Sequence, residues 1–430
     1  MAHYAIVCPD DAGGFLPIGS VGHELAGRGH RVTLVARPRC APLAELLGLP
    51  FHPLETDEIS KPWTPLMWVS FRAVRADWVV NLRNWFRWYA ELTLRTLPGA
   101  LQELAVDGVL LHQNVAAGGT AAERAGIPFV TVCSSLPWRE DGDVPPPFTS
   151  WLPADARASR LRNRLGYAGW RWFTQPMLGA INRQRRAWGL RRLAHVDDLF
   201  SPLAQVWQLC PQFDFPRYDL PPHVHYIGSL GTARHLPTDH GFPWERLDGR
   251  PLVFASLGTV PARANLPVYR KILEACAGLD VQLVLALGKW YDEHNAAREK
   301  LGPIPDDAIV VDFAPQLALL DKAALLITHA GVNTVLEAIC RGVPMVALPR
   351  AADQLGMGAR IVHSGVGLRA PFQSCTSLQL RGLVQRVLAE DGFHHRSQQL
   401  QSAMLAAGGV ARVADIAEQV VSTGRPIHRS

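Results

Sequence analysis

Leu325-Leu326-Ile327-Thr328-His329-Ala330-Gly331-Val332-Asn333-Thr334-Val335-Leu336-Glu337 reads as a buried strand running straight into the first turn of a helix. Leu325–Thr328 is apolar without alternation, which suits a parallel strand covered on both faces. Gly331 lets the backbone approach a ligand closely, and Asn333 and Thr334 add side-chain donors. The orphan N–H groups and positive end of a helix opening there favour an anion such as a diphosphate. His329 supplies one more donor, and Glu337, one turn along the same face, is placed to accept hydrogen bonds from vicinal hydroxyls. Taken alone, an ordinary capped strand-to-helix turn has the same pattern.

Three further strand ends share its character. Ser256-Leu257-Gly258-Thr259 offers hydroxyls and a glycine, Asp312-Phe313-Ala314-Pro315-Gln316 an aromatic ring and an amide, and Pro344–Pro349 leads to the acid and amide of Asp353-Gln354. These ends belong to one series of short apolar runs, Leu252–Ser256, Val281–Ala286, Ile309–Phe313, Leu325–Thr328 and Met345–Leu348, alternating with helical patterns. An earlier series comprises Tyr4–Cys8, Arg31–Ala36, Gly108–His112, Phe129–Cys133 and Val224–Ile227, with a helix over Ile18–Gly29 completing the first βαβ unit. Between the two series, Ser229–Arg250 is rich in Gly, Pro, His and charge and has no apolar period. The expectation is an α/β protein of two doubly wound halves: residues 1–228, a linker 229–250, residues 251–405, and a C-terminal helix and tail 406–430 that returns toward the first half. In such folds ligands bind at the carboxyl ends of the strands, here in the cleft between the halves.

Composition narrows the classes. The 430 residues are 48% hydrophobic and 19% charged, which excludes a disordered or coiled-coil chain. A net charge of +5 with no nucleic-acid module argues against a nucleic-acid partner. Seven dispersed cysteines without a C-x-x-C pair suggest neither a disulfide framework nor a zinc site. With an apolar start at Tyr4–Cys8 and no run long enough to span a bilayer, a cytoplasmic location is expected.

The ordered set S-L-G-T, F-A-P-Q, T-H-A-G-x-N-T-x-x-E, G-V-P and D-Q resembles the donor domain of the nucleotide-sugar-dependent glycosyltransferases with the GT-B fold, the family of the UDP-glucuronosyl/UDP-glucosyltransferases. Pro17-x-x-x-Val21-Gly22-x-x-Leu25-x-x-Arg28-Gly29-His30-x-Val32-Thr33 is similar to the family's first helix and second strand. Ala116–Glu123 with Gly126-Ile127-Pro128-Phe129-Val130 resembles its bacterial branch that contains zeaxanthin glucosyltransferase. The resemblance implies two Rossmann-like domains facing across a cleft, and inverting transfer of a hexose, with no metal or cofactor, from a UDP- or dTDP-sugar to a small hydrophobic or aromatic acceptor. It further implies that Phe313 stacks on the base and Ala314 binds it through the main chain. Gln316 and Glu337 would hold the ribose, and Ser256, Thr259, His329, Asn333 and Thr334 the diphosphate, with Gly258 and Gly331 also donor-binding. Asp353 and Gln354 would hold the sugar, which points to UDP-glucose.

Two positions depart from that family. Its first loop reads G-H-x-x-P, with the His as general base oriented by an Asp on a later strand; here Gly13-Gly14-Phe15-Leu16-Pro17 puts Gly14 at the base position, and His112 stands at the Asp position. Such a base contributes about 10²–10⁴-fold. Three readings stay open: His112 acts instead, with Asp10 or Asp11 as its orienting carboxylate; the acceptor is acidic enough to need no base; or the protein binds a nucleotide sugar or hydrophobic ligand with altered chemistry or as a non-catalytic partner.

From Arg157 to Arg192 there are ten arginines and no Asp, Glu or Lys, interleaved with Leu161, Leu165, Tyr167, Trp170, Trp172, Phe173 and Trp188. Trp63, Trp68, Trp78, Trp85 and Trp88 make an earlier region aromatic. The resemblance implies that this region lines the acceptor pocket; the basic amphipathic pattern of 157–192 also suits peripheral contact with the inner face of a membrane. A core-facing helix with a solvated Arg face would look the same.

Overall fold

The structure is a computed structural model that describes residues 1–54, 76–154, 157–231, 241–258, 262–288 and 300–429. Thr259, Trp63, Trp68 and residues 232–240 of the expected linker lie outside the described residues.

Strands β1 (His3–Val7), β2 (Arg31–Ala36), β3 (Phe51–Pro53), β4 (Gly108–His112), β5 (Phe129–Cys133), β6 (Gln205–Trp207) and β7 (Val224–Tyr226) form a parallel sheet in the order β3-β2-β1-β4-β5-β6-β7. A second parallel sheet has the order β10-β9-β8-β11-β12-β13, from β8 (Leu252–Ser256), β9 (Gln282–Ala286), β10 (Ile309–Val311), β11 (Ala323–Thr328), β12 (Met345–Ala347) and β13 (Gly367–Arg369). Helices α1 (Ala12–Gly27), α2 (Ala41–Leu47), α3 (Ala76–Leu104), α4 (Gly118–Ala125) and α5 (Arg157–Ala187) connect the first sheet. The second carries α6 (Ala262–Cys276), α7 (Gln316–Leu320), α8 (Val332–Ile339), α9 (Asp353–His363), α10 (Ser377–Ala389) and α11 (Asp391–Ala406), with α12 (Gly409–Thr423) last.

The pleat divides each apolar run between two cores. Tyr4 and Ile6 of β1 pack with Ile18, Val21 and Leu25 of α1 and with Val413, Ile416 and Val420 of α12. Ala5 and Val7 face the other way, against Leu92, Leu97 and Leu101 of α3. In the second sheet, Phe254 and Leu326 meet Val335 and Ile339 of α8, while Val253, Ala255 and Ile327 meet Tyr269 and Ile272 of α6. The chain's last helix returns to the first sheet, where Arg28 pairs with Asp415 at 2.7 Å and the Ile427 N–H donates to the Leu203 carbonyl at 2.9 Å.

The two halves meet at the carboxyl ends of their strands. Asp214, beyond β6, accepts from Arg360 of α9 at 2.8 Å, from Arg217 at 2.8 Å and from the Tyr226 hydroxyl at 2.8 Å. Burial alone would raise the Asp214 carboxyl; Arg217 and Arg360 outweigh it and hold it well below the usual carboxylate range. Nearby, a Cβ on Gly356 would stand 2.2 Å from the Pro147 carbonyl oxygen, so α9 lies directly on the loop after β5.

Two details differ from the sequence expectation, and a third agrees with one of its readings, the core-facing helix. Helix α1 starts at Ala12, six residues before Ile18, because Asp11 caps it by accepting from the Gly14 N–H at 2.8 Å and Pro17 is tolerated near its start. The three-residue strands β3, β6 and β13 are not among the strands expected from sequence. The arginine-rich stretch is one helix whose inner face buries Tyr167, Trp170, Met177 and Ile181.

Candidate functional site

β11 delivers His329 to its carboxyl end, and a left-handed Ala330 (φ +64°) turns the chain so that Gly331 caps α8. The His329 ring is wedged between two glycines: a Cβ on Gly258 would lie 2.6 Å from it, and one on Gly331 2.5 Å. Burial, with Arg350 nearby, lowers the imidazole to about 4, so it is neutral at pH 7. Its Nδ1 is buried with no hydrogen-bond partner among the described residues. Ser256 and Gly258 stand beside it at the end of β8. At the adjoining strand end Phe313 is exposed over a buried Ala314. Gln316 at the start of α7 donates to the buried Glu337 carboxylate of α8, so these two expected partners are in contact.

Gln354 folds back on its own loop, its Oε1 accepting from the Arg350 N–H at 3.1 Å and the Ala351 N–H at 3.3 Å. Ala352, with φ +53°, sets Asp353 at the first residue of α9. Burial, then the charge of Asp11 across the cleft, pushes the Asp353 carboxyl up to about 6, although the Leu136 backbone hydrogen-bonds it from the first half. Thr334 is buried in the first turn of α8, whereas Asn333 points to the other domain. It accepts from Gln208 at 2.9 Å and donates to the Gly13 carbonyl at 2.7 Å. Arg350 was not singled out from sequence; it donates to Asn265 at 3.1 Å and lies over the Phe372 ring, a cation at the donor strand ends. A basic residue directly after the strand-ending Pro349 was the available signal.

On the facing side, the His112 ring fills the space a side chain at position 14 would take. A Cβ on Gly14 would lie 3.0 Å from its Nε2 and 2.5 Å from Pro9 Cγ. Its Nδ1 accepts from the Asn114 N–H at 3.1 Å, so Nε2 carries the proton and donates to Ser134 Oγ at 2.6 Å. Burial drives the imidazole down to about 3. The expected orienting carboxylate is therefore corrected: neither Asp10 nor Asp11 holds this ring. Asp10 is buried in an ion pair with Arg37 at 2.8 Å, itself beneath Trp88. Asp11 is exposed, and desolvation of its carboxylate with the charge of neighbouring Asp10 raises it, against the hydrogen bond that it accepts from the Gly14 N–H.

Next to this corner lies an aromatic cluster. Trp138, in the loop after β5, meets Phe86 of α3 at 5.9 Å and Trp170 of α5 at 5.5 Å. Phe148 and Phe173 also pack on Trp170, at 5.2 and 5.6 Å. The same loop carries Leu136 and Pro147, which touch α9, so the cluster adjoins the cleft. Among the described residues no group of three or more His, Cys, Asp or Glu is placed to hold a metal ion, and no helix is long and apolar enough to cross a membrane.

Comparison with known proteins agrees with this architecture. Residues 270–420 match the family model for the erythromycin biosynthesis protein CIII-like C-terminal domain. Zeaxanthin glucosyltransferase of Pantoea ananas is 34% identical over 99% of this chain and 98% of its own length. The zeaxanthin glucosyltransferase of Pseudescherichia vulneris is 30% identical over 98% of both. The crystal structure of CalG4, the calicheamicin glycosyltransferase, superposes with a TM-score of 0.76 at 20% identity, covering 99% of this chain and 100% of that one. Two Rossmann-like sheets closing on a cleft, and relatives this similar over their whole length, place the chain in the family of nucleotide-sugar-dependent glycosyltransferases with the GT-B fold.

Proposed function

We propose that this glycosyltransferase moves a hexose, glucose from UDP-glucose in the first instance and its dTDP counterpart in the second, to a small hydrophobic acceptor with inversion at the anomeric carbon. The donor half rests on the convergent strand ends. Phe313 and Ala314 take the base, the Gln316–Glu337 pair the ribose, and Ser256, Gly258, Thr259, His329, Gly331, Asn333 and Thr334 the diphosphate, whose developing charge the α8 N-terminus stabilises. Asp353 and Gln354 take the sugar hydroxyls. The acceptor lies against the aromatic cluster of Phe86, Trp138, Trp170 and Phe173. Zeaxanthin, named in the relatives above, is the first acceptor to test.

The observation that carries the mechanism is the pairing of carboxylates across the cleft. Asp11 faces Asp353 closely enough to raise it, while His112 has both ring nitrogens engaged and Asp10 is tied to Arg37. Asp11 is thus the proton acceptor. The acceptor oxygen attacks the anomeric carbon and its proton passes to the Asp11 carboxylate. The bond from that carbon to the diphosphate oxygen breaks, with the electron pair leaving on the nucleoside diphosphate. A raised carboxyl is the stronger base, and activity is expected to climb with pH through the titration of Asp11.

Calorimetry with UDP, dTDP and their glucose esters, followed by nucleotide release with hydroxyl and carboxylate acceptors, tests this reading. Asp11→Asn keeps the cap on α1, because Asn caps as well as Asp. It is expected to lower kcat by about 10²–10⁴-fold with nucleotide affinity unchanged, whereas His112→Gln stays within about tenfold. Full turnover in Asp11→Asn, or no nucleotide binding by the native chain, overturns it.

A further inference from the structure

Helix α5 is apolar on two opposite faces. Its inner face packs into the domain through Tyr167, Trp170, Thr174, Met177 and Ile181. On the outer face Leu161, Leu165 and Trp172 are 58%, 66% and 54% exposed. At 100° per residue these three fall within about 40° of one another on the helix, so they form a line, not scattered exposures. The line extends sideways to Val80 of α3, 47% exposed, through Arg83, whose guanidinium sits 3.9 Å over the Trp172 ring.

The charges that the helix itself carries along that line are all positive. Arg160, Arg171 and Arg183 pair with Asp143, Glu140 and Glu91 on neighbouring elements. Arg157, Arg164 and Arg186 have no carboxylate partner among the described residues and lie on the outer side with the leucines. The helix itself carries no acid. Exposed Leu, Leu and Trp flanked by unpaired arginines match an interface whose surface is anionic and whose interior is apolar. A protein partner would call for carboxylates placed against particular arginines, whereas this surface offers diffuse positive charge along one ridge.

We propose that the outer face of α5, with the adjoining turn of α3, docks the protein on an anionic lipid bilayer, with Leu161, Leu165 and Trp172 entering the headgroup layer and the arginines meeting lipid phosphates. The inference is independent of the sugar-transfer reading, and its test reads binding only.

Full-length protein is sedimented with vesicles of pure phosphatidylcholine and with equimolar phosphatidylcholine and phosphatidylglycerol, at low and high salt. Expected is binding to the anionic vesicles at least tenfold tighter than to the neutral ones, weakened by salt. Leu161→Gln/Leu165→Gln/Trp172→Gln should lose roughly tenfold, and Arg157→Gln/Arg164→Gln about fivefold per charge. All five side chains are exposed, so the variants should melt with the native protein. Equal binding to both vesicle types, no vesicle binding, or wild-type binding by the folded triple variant overturns the proposal. Binding retained in the charge variant at low salt overturns its electrostatic half.

Discussion

The Asn333 side chain donates to the carbonyl oxygen of Gly13, 320 residues earlier, at 2.7 Å, and that carbonyl is the one Pro17 cannot satisfy. In a regular helix the N–H of residue 17 would bond the carbonyl of residue 13, but proline has none. The first turn of α1 thus presents a free acceptor, and the Asn333 amide in the first turn of α8 takes it. Through Oδ1 the same amide accepts from Gln208, so one side chain ties the two halves at the cleft.

A double-mutant cycle reads that arrangement. Asn333→Ala should cost about 1 kcal/mol in denaturant unfolding, the net worth of the lost hydrogen bonds. Pro17→Ala adds an N–H that can bond Gly13, so Asn333→Ala on that background should cost less, with a coupling of about 0.5 kcal/mol or more. Additive effects would show that Gly13 has no stake in the contact.

The glycines around His329 make a second prediction. Gly258 is left-handed (φ +78°), and a Cβ there or on Gly331 would enter the imidazole. Either substitution to alanine should destabilise the second domain by about 1–3 kcal/mol and weaken UDP or dTDP binding at least tenfold, read by calorimetry, because it displaces the ring proposed to meet the diphosphate.

Much of this was legible in sequence. The long strand runs were, because parallel strands buried on both faces are uninterrupted apolar segments, and the polar strand ends of the second sheet were, because each is a short contiguous motif. What escaped depends on distance along the chain or on brevity. Gln205–Trp207 and Gly367–Arg369 are three-residue strands held by their neighbours, not by pattern. The tautomer of His112 is set by Asn114 and by Ser134, a residue on the neighbouring strand's end, and no spacing rule reveals that bond. Asp10 is buried against Arg37, just after β2, a pairing between separate segments that the sequence does not reveal.

The third prediction concerns pH. Asp353 is raised to about 6 by burial and by Asp11, so between about pH 4 and 6 the folded chain binds more protons than the unfolded one. Its contribution to stability is therefore present in acid, declines as pH rises through that window and stays lost above it. In nucleotide-free protein Asp353→Asn should melt higher than wild type at pH 7 to 8 and converge with it below about pH 4. The same variant should raise the donor-sugar KM at least tenfold, since it replaces the carboxylate proposed to grip the sugar hydroxyls. A constant difference in melting temperature across pH would remove Asp353 as the titrating group.

The fourth prediction uses the exchange of Gly14 and His112. The imidazole of His112 fills the volume that a side chain at position 14 would need, so Gly14→His alone should cost about 1–3 kcal/mol and add no rate. His112→Asp vacates that volume and puts a carboxylate at the end of β4, within reach of an imidazole at position 14. Contact with Pro9, 2.5 Å from the added Cβ, remains, and the double variant should still melt below wild type. Its proton acceptor would then be the new histidine. Asp11→Asn, which should slow the native enzyme by about 10²–10⁴-fold, should slow the double variant by less than about tenfold, measured as nucleotide release with a hydroxyl acceptor. An equal loss in both backgrounds would mean that Asp11 serves the reaction by some route other than taking the acceptor's proton.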